Sequence, residues 1–395
     1  MKDEKKAPKL RFKGFTDDWE QCKLGDVAKI TMGQSPNSKN YTDNPKDHIL
    51  VQGNADMKDG QVHPRIWTTE ITKIADKGDL ILSVRAPVGD IGKTSYDVVI
   101  GRGVAAIKGN EFIFQLLKRM KTVGYWTKYS TGSTFESINS LEINNAVINL
   151  PKEHEQNKVG KILSYMDHAI TLHEEKKRQL ERLKSALLKK MFADKSGYPV
   201  VRFKEFCDEW QGTKLRKISK IVRGASPRPI SDPKWFDNDS NVGWLRISDV
   251  TSQDGRIHHL KQHISKQGQA KTRVISEPHL LLSIAATVGK PLINYVKIGV
   301  HDGFLIFIEP QFDLEFMFQW LEMFRPQWSK YGQPGSQINL NSDLVKNQII
   351  YLPSREEQNQ IGIFLNQIDS LINLHQQKIN NINSVKKSLL QKMFI

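Results

Sequence analysis

Two short segments carry the residue types of nucleotide-binding loops. Gly89-Asp-Ile-Gly-Lys-Thr94 ends as a phosphate loop does, with the glycine and lysine that cradle polyphosphate. The glycine required five residues before Gly92 is replaced by Pro87, and the related segment further on reads Val288-Gly289-Lys290-Pro291, so no phosphate cradle is predicted. Gly101-Arg-Gly103 opens like a dinucleotide fingerprint, but Ala106 stands in the last glycine place and the flanking residues read as strand, turn, strand. Cys22 and Cys207 lack a C-x-x-C spacing or a nearby His pair, which rules out a zinc site or a disulfide framework built on them. There is no [DNS]-P-P-[YF] tetrapeptide, no H-E-x-x-H and no G-x-S-x-G. The expectation is a chain without a catalyst, metal or cofactor of its own.

What the side chains do offer is charge. Lys and Arg number 58 against 43 Asp and Glu, a net charge of +15 with an isoelectric point near 9.5, which suits a polyanion: nucleic acid first, an anionic membrane second. No apolar run approaches the roughly 18 residues of a spanning helix. The start, MKDEKKAPKLRFKGF, has charges but no apolar stretch. A cytoplasmic protein with no membrane partner is predicted. At 395 residues, 38% of them hydrophobic, the chain exceeds one compact core and suits two domains.

The elements that position these charges are written twice. Leu10 to Pro36 and Val201 to Pro227 share 13 identities in 27 ungapped positions. GDLILSVRAPVG (Gly78 to Gly89) aligns with PHLLLSIAATVG (Pro278 to Gly289), and Gly103 with Gly303. At a constant offset of 202, Trp126, Lys128 and Tyr129 recur as Trp328, Lys330 and Tyr331, Leu150-Pro151 as Leu352-Pro353, Glu155-Gln156-Asn157 as Glu357-Gln358-Asn359, and Lys190-Met191-Phe192 as Lys392-Met393-Phe394. Between these blocks, residues 37 to 77 and 228 to 277 share little. One frame carries two different inserts.

Up to about Leu150 each copy has short apolar runs bounded by Gly, Pro, Asn and Asp, the pattern of a strand-rich domain. From Glu153 to Met191 there is no proline, and apolar residues fall at helical spacing. The predicted helix-pair core is Val159, Leu163, Met166, Ile170, His173, Leu180 and Leu187 in the first copy. The second gives Ile361, Leu365, Ile368, Ile372, His375, Ile379, Ile382 and Leu389, a heptad register held for about five repeats. Each helix would be roughly 55 Å long at ~1.5 Å per residue, and an apolar stripe of that length needs a partner. The short link to domain two makes the pair antiparallel.

The expected architecture is therefore α+β: two tandem strand-rich domains, residues 1–150 and 194–352, each followed by a long helix, 151–193 and 353–395. The helices pair as an antiparallel coiled coil with a near two-fold axis. His173 and His375 fall together at that axis, as polar interruptions fixing register or as a pH-sensitive joint. Gly160 and Gly362 interrupt the helices at equivalent places, the mark of close backbone packing.

The order of variable domain, long helix, variable domain, long helix, with the G-x-S-P turns (Gly33 to Pro36, Gly224 to Pro227), the L-x-S-x-x-x-x-V-G strand-turns and the L-P-x-x-x-E-Q helix entries, resembles type I restriction-modification specificity subunits. The resemblance covers nearly the whole chain. It implies two target recognition domains that read a bipartite, asymmetric site on double-stranded DNA. It also implies two modification (methyltransferase) subunits holding S-adenosylmethionine, and restriction and translocation subunits that use ATP and Mg. Two other readings of the same residues are a stand-alone DNA-binding regulator or clamp, which would bind tightly without enzyme partners, and a single-chain enzyme, which would methylate or cut DNA by itself.

Phosphates are contacted by Lys and Arg, and bases by Arg, Lys, Asn, Gln, Ser and Thr in loops. The candidates in the first domain are Gln34, Ser35, Asn54, Lys58, Arg65, Arg85, Lys93, Arg102, Lys128, Ser133 and Thr134. Those in the second are Ser226, Arg228, Arg246, Ser248, Thr287, Lys290, Lys330, Ser336 and Gln337. Residues that read bases belong where the copies disagree, which singles out the inserts near Asn54, Lys58 and Arg65, and near Trp244, Arg246, Ser248 and Asp249. The Trp126 and Trp328 pair, present in both copies, is predicted to be core.

Overall fold

The computed structural model describes residues 7–129, 137–251, 253–285, 287–328 and 340–395. The chain divides into two units, one of residues 1–175 with 375–395 and one of residues 176–374. Each is strand-rich and includes stretches of both long helices, Glu153–Lys190 and Arg355–Lys392.

In the first unit the apolar runs become the strands Leu80–Ser83, Val98–Ile100 and Val104–Ile107. Leu80–Ser83 lies between Val104–Ile107 and Ile91–Lys93, antiparallel to both, and Ile30–Met32 continues the sheet beyond Val104–Ile107. Val98–Ile100 belongs to a second sheet, parallel to His48–Val51 and antiparallel to Ile74–Ala75. The insert thus adds strands to the second sheet, including Tyr41–Thr42 and Ile66–Thr68. The second unit repeats the plan with Lys220–Arg223, Phe304–Ile308, Leu280–Ser283 and Pro291–Asn294 in one sheet. Gly243–Leu245 and Arg273–Ile275 flank Ile298–Val300 in the other.

The repeated glycines and tryptophans explain one another. Gly89 (φ +87°) and Gly289 (φ +75°) turn the chain after the central strand, and a Cβ on either would lie 2.5 or 2.4 Å from Cδ1 of Trp126 or Trp328. Both indoles are buried, as core packing requires.

Each long helix crosses its own domain first. A Cβ on Gly160 would come within 2.9 Å of the Phe112 backbone nitrogen, and one on Gly362 equally close to that of Phe316, where the helices Glu111–Thr122 and Leu314–Trp328 begin. This close approach buries Val159 and Leu163 in the core of the first unit and Ile361, Leu365 and Ile368 in that of the second. Those five positions therefore belong to the domain cores. The Glu of each L-P-x-x-x-E-Q entry is buried and held by two hydrogen bonds from one guanidinium, Arg11 to Glu155 and Arg202 to Glu357.

The long helices pack on each other and run antiparallel within each unit. In the first, Asp167 meets Lys386, and His173 Nδ1 lies 2.9 Å from His375 Nδ1. In the second, Lys184 meets Asp369, which also accepts from Arg256 at 3.2 Å and Gln319 at 2.7 Å. Met166, Ile170, Ile382 and Leu389 in the first unit, and Leu180, Leu187 and Ile372 in the second, are half-buried, and Ile379 is buried. Each helix ends in the core of the unit that contains its last turn. Met191 and Phe192 pack with Trp210 and Phe316, and Met393 and Phe394 with Trp19 and Phe112. The last residues return beside the first domain's start, where the Leu10 amide donates to the Lys392 carbonyl at 2.8 Å.

Candidate nucleic-acid interface

The G-x-S-P turns build the same backbone frame in both units. The Gly33 amide donates to the Val104 carbonyl and the Gln34 amide to that of Ile100; the Gly224 and Ala225 amides do so to Phe304 and Val300. The hydroxyl of Ser35 accepts from the Arg102 amide at 3.1 Å, and that of Ser226 from the Asp302 amide at 3.1 Å. Both candidate serines therefore brace a turn between strands. Gly101-Arg-Gly103 is that turn in the first unit, and the segment from Gly89 to Thr94 contains another turn and the strand Ile91–Lys93, so neither precedes a helix.

On this frame the first unit carries a concavity of about 420 Å³ lined by Ser35, Tyr41, Gln52, Gly53, Asn54, Ser83, Arg85, Ala86, Arg102 and Gly103. Four candidates, Ser35, Asn54, Arg85 and Arg102, are brought together here. Arg85 and Arg102 are exposed. Gln52 donates from Nε2 to the Tyr41 hydroxyl, and the Asp56 carboxylate accepts the Gln52 and Gly53 amides, which fixes the loop beneath.

The other first-unit candidates lie elsewhere. Gln34 is exposed with its carbonyl accepting from Thr72 Oγ1. Lys58 is exposed, and Arg65 donates to the Ala55 carbonyl at 2.9 Å beside Asp56. Lys93 is engaged by Glu111 at 3.0 Å, and Lys128 lies over the rings of Tyr125 and Tyr129. Ser133 and Thr134, like Lys330, Ser336 and Gln337 of the second domain, lie outside the described residues.

The second unit has a concavity of about 350 Å³ lined by Ile230, Phe236, Trp244, Arg246, Ile247, Ser248, Gln262 and His301. It gathers the candidates Arg246 and Ser248. The strand registers equate Gln52 with Arg246, since Val51 pairs with Ile100 and Leu245 with Val300. The Arg246 guanidinium is held by both Asp249 oxygens at 3.1 and 3.2 Å. Arg228 is exposed and paired with Asp302 at 2.7 Å. Thr287 and Lys290 sit together in the Gly289 turn, the Lys290 amide donating to the Thr287 carbonyl.

Burial pushes the Asp302 carboxyl up, but the Ser226 hydroxyl, His301, Arg228 and Arg223 more than offset this and hold it below the ordinary carboxylate range. Burial, with Arg228 and Arg223, pushes His301 below its usual value against the pull of Asp302. His301 and Asp302 were not picked from the sequence. The alignment of Gly103 with Gly303 was the signal that could have found them, because it puts Asp302 opposite Arg102.

Among the described residues no cluster of His, Cys, Asp and Glu is arranged to hold a metal ion, and no helix is long and apolar enough to cross a membrane. The strand frame, paired long helices and two unlike concavities define an internally repeated protein with a different hollow in each repeat. Residues 16–182 and 207–384 each match the type I restriction modification DNA specificity domain, and the chain belongs to the specificity subunits of type I restriction-modification systems. The specificity subunit is the non-catalytic member of such a system, the one concerned with DNA sequence.

The chain is 22% identical over 398 residues to the MjaVIII specificity subunit of Methanocaldococcus jannaschii, covering 95% of this chain and 91% of that one. It is 32% identical over 188 residues to that organism's putative MjaX specificity subunit, a match spanning 45% of this chain and 44% of the relative. In fold it is similar to the S subunit from M. genitalium, at a TM-score of 0.67 and 14% identity over 98% of this chain and 99% of that chain. A chain from a structure concerned with complex assembly and conformational transition of the type I system gives a TM-score of 0.54 at 18% identity, over 95% and 97% of the two chains.

Proposed function

We propose that residues 1–150 and 194–352 are two target recognition domains, each reading one half of a bipartite, asymmetric sequence on double-stranded DNA. The helices 151–193 and 353–395 set the gap between the halves and dock two modification subunits, which carry S-adenosylmethionine. Restriction and translocation subunits, with ATP and Mg, complete the assembly in the cytoplasm. The observation that carries this reading is the repeated frame with unlike inserts. Two copies of one insert would read the same word twice, whereas different inserts read different words. The net charge of +15 supplies the sequence-independent attraction to phosphate that any such reader needs.

Exchanging residues 1–150 for the corresponding domain of another family member, with the modification partner present, tests it. Mapping of methylated sites is expected to show one half of the target replaced, with the other half and the gap retained. A change in both halves together contradicts modular reading.

A further inference from the structure

In the first unit the turns after Leu80–Ser83 and Val98–Ile100 bring Arg85 and Arg102 to one concavity. Among the described residues that line it there is no carboxylate, and neither guanidinium has an ion-pair partner. Arg11 and Lys93 of this unit, by contrast, are engaged by Glu155 and Glu111. Two uncommitted arginines at a polar hollow are poised to receive an acceptor from outside.

The second unit separates base reading from phosphate binding. Phosphate contacts are needed by both domains whatever they read, so residues that make them should recur in the frame. At the places of Arg85 and Arg102 the second copy has Ala285 and Asp302. Two of its nearby arginines are neutralised, Arg246 by Asp249 and Arg228 by Asp302. The frame is kept and the donors are not, which is the signature of a specificity determinant.

We propose that the first concavity is a base-reading site in which Arg85 and Arg102 present their donors to the N7 and O6 acceptors of guanine in the major groove, making guanine a required base in the half-site read by residues 1–150. This deepens the DNA-reading function proposed above and rests on it. Arginine forks fit that acceptor pair, and few other base edges offer one.

The test uses the full chain assembled with its modification partner, Arg85→Ala and Arg102→Ala variants, and a randomised duplex library sorted by methylation. The unaltered complex is expected to require guanine in one half of its target. Each variant should lose about tenfold to a hundredfold of discrimination at one guanine position, with the other half unchanged. Both side chains are exposed, so thermal unfolding should be unaltered. The proposal is overturned if that half needs no guanine. It is equally overturned if the variants weaken binding to all sequences alike and flatten its salt dependence, the behaviour of phosphate contacts. Either result leaves the bipartite function standing, whereas an unaltered complex with no bipartite preference would remove both.

Discussion

Gly103 and Gly303 occupy the same turn, yet a methyl group on each would meet different matter. At Gly103 the nearest atom is the Gln52 carbonyl oxygen at 2.0 Å, part of the loop beneath the first concavity; at Gly303 it is the end of the Ile247 side chain at 2.8 Å. Backbone cannot swing aside as a side-chain terminus can. Gly103→Ala is therefore expected to destabilise by about 1–3 kcal/mol, the usual cost of overpacking, and Gly303→Ala by clearly less. Chemical denaturation midpoints read the difference, and equal losses would contradict the close approach. At this scale the sequence showed that the glycine recurs, but not what pressed on it. It singled out Arg102 and missed Asp302, because a single position's chemistry is visible only once the strand register places it at a cavity.

The long helices were legible as elements because a 38-residue helix with an apolar stripe has few alternatives. The charged contacts between them were not, since Asp167 and Lys386 are far apart in the chain and each resembles a solvated surface residue. Yet Asp167 and Asp369, and Lys184 and Lys386, are equivalent in the repeat, so the same contact is made once in each unit. Nor could periodicity show that Val159, Leu163 and Ile361 would pack into domain cores, because a stripe records burial and not against what. Burial pushes the Asp167 carboxyl up, but Lys118, Lys386 and Gln115 more than offset it and hold it below its ordinary range. The Lys386 ammonium is itself pushed down by burial and by Lys118. A carboxyl lowered by folding contributes stability above the ordinary carboxyl range and loses it as pH falls through the lowered value. A double-mutant cycle of Asp167→Asn and Lys386→Met should give a coupling of roughly 0.5–3 kcal/mol at neutral pH, fading in strong acid. Zero coupling at neutral pH would show that the contact does not stabilise the fold.

At the scale of the whole chain, the repeat carried most of what could be inferred from the sequence: the family, the two strand-rich domains and the antiparallel helix pair. It could not reveal which loops form the concavities, because residues 37 to 77 and 228 to 277 differ in length and build different numbers of strands on the second sheet. The central claim is that each domain holds its own word and reads it independently of the other. The most direct measurement replaces residues 201–352 with a second copy of 10–150 and maps the methylated sites of the resulting complex. The account predicts a target whose two halves carry the same word, that of the first domain. A target whose second half is unchanged, or unrelated to the first, would contradict it.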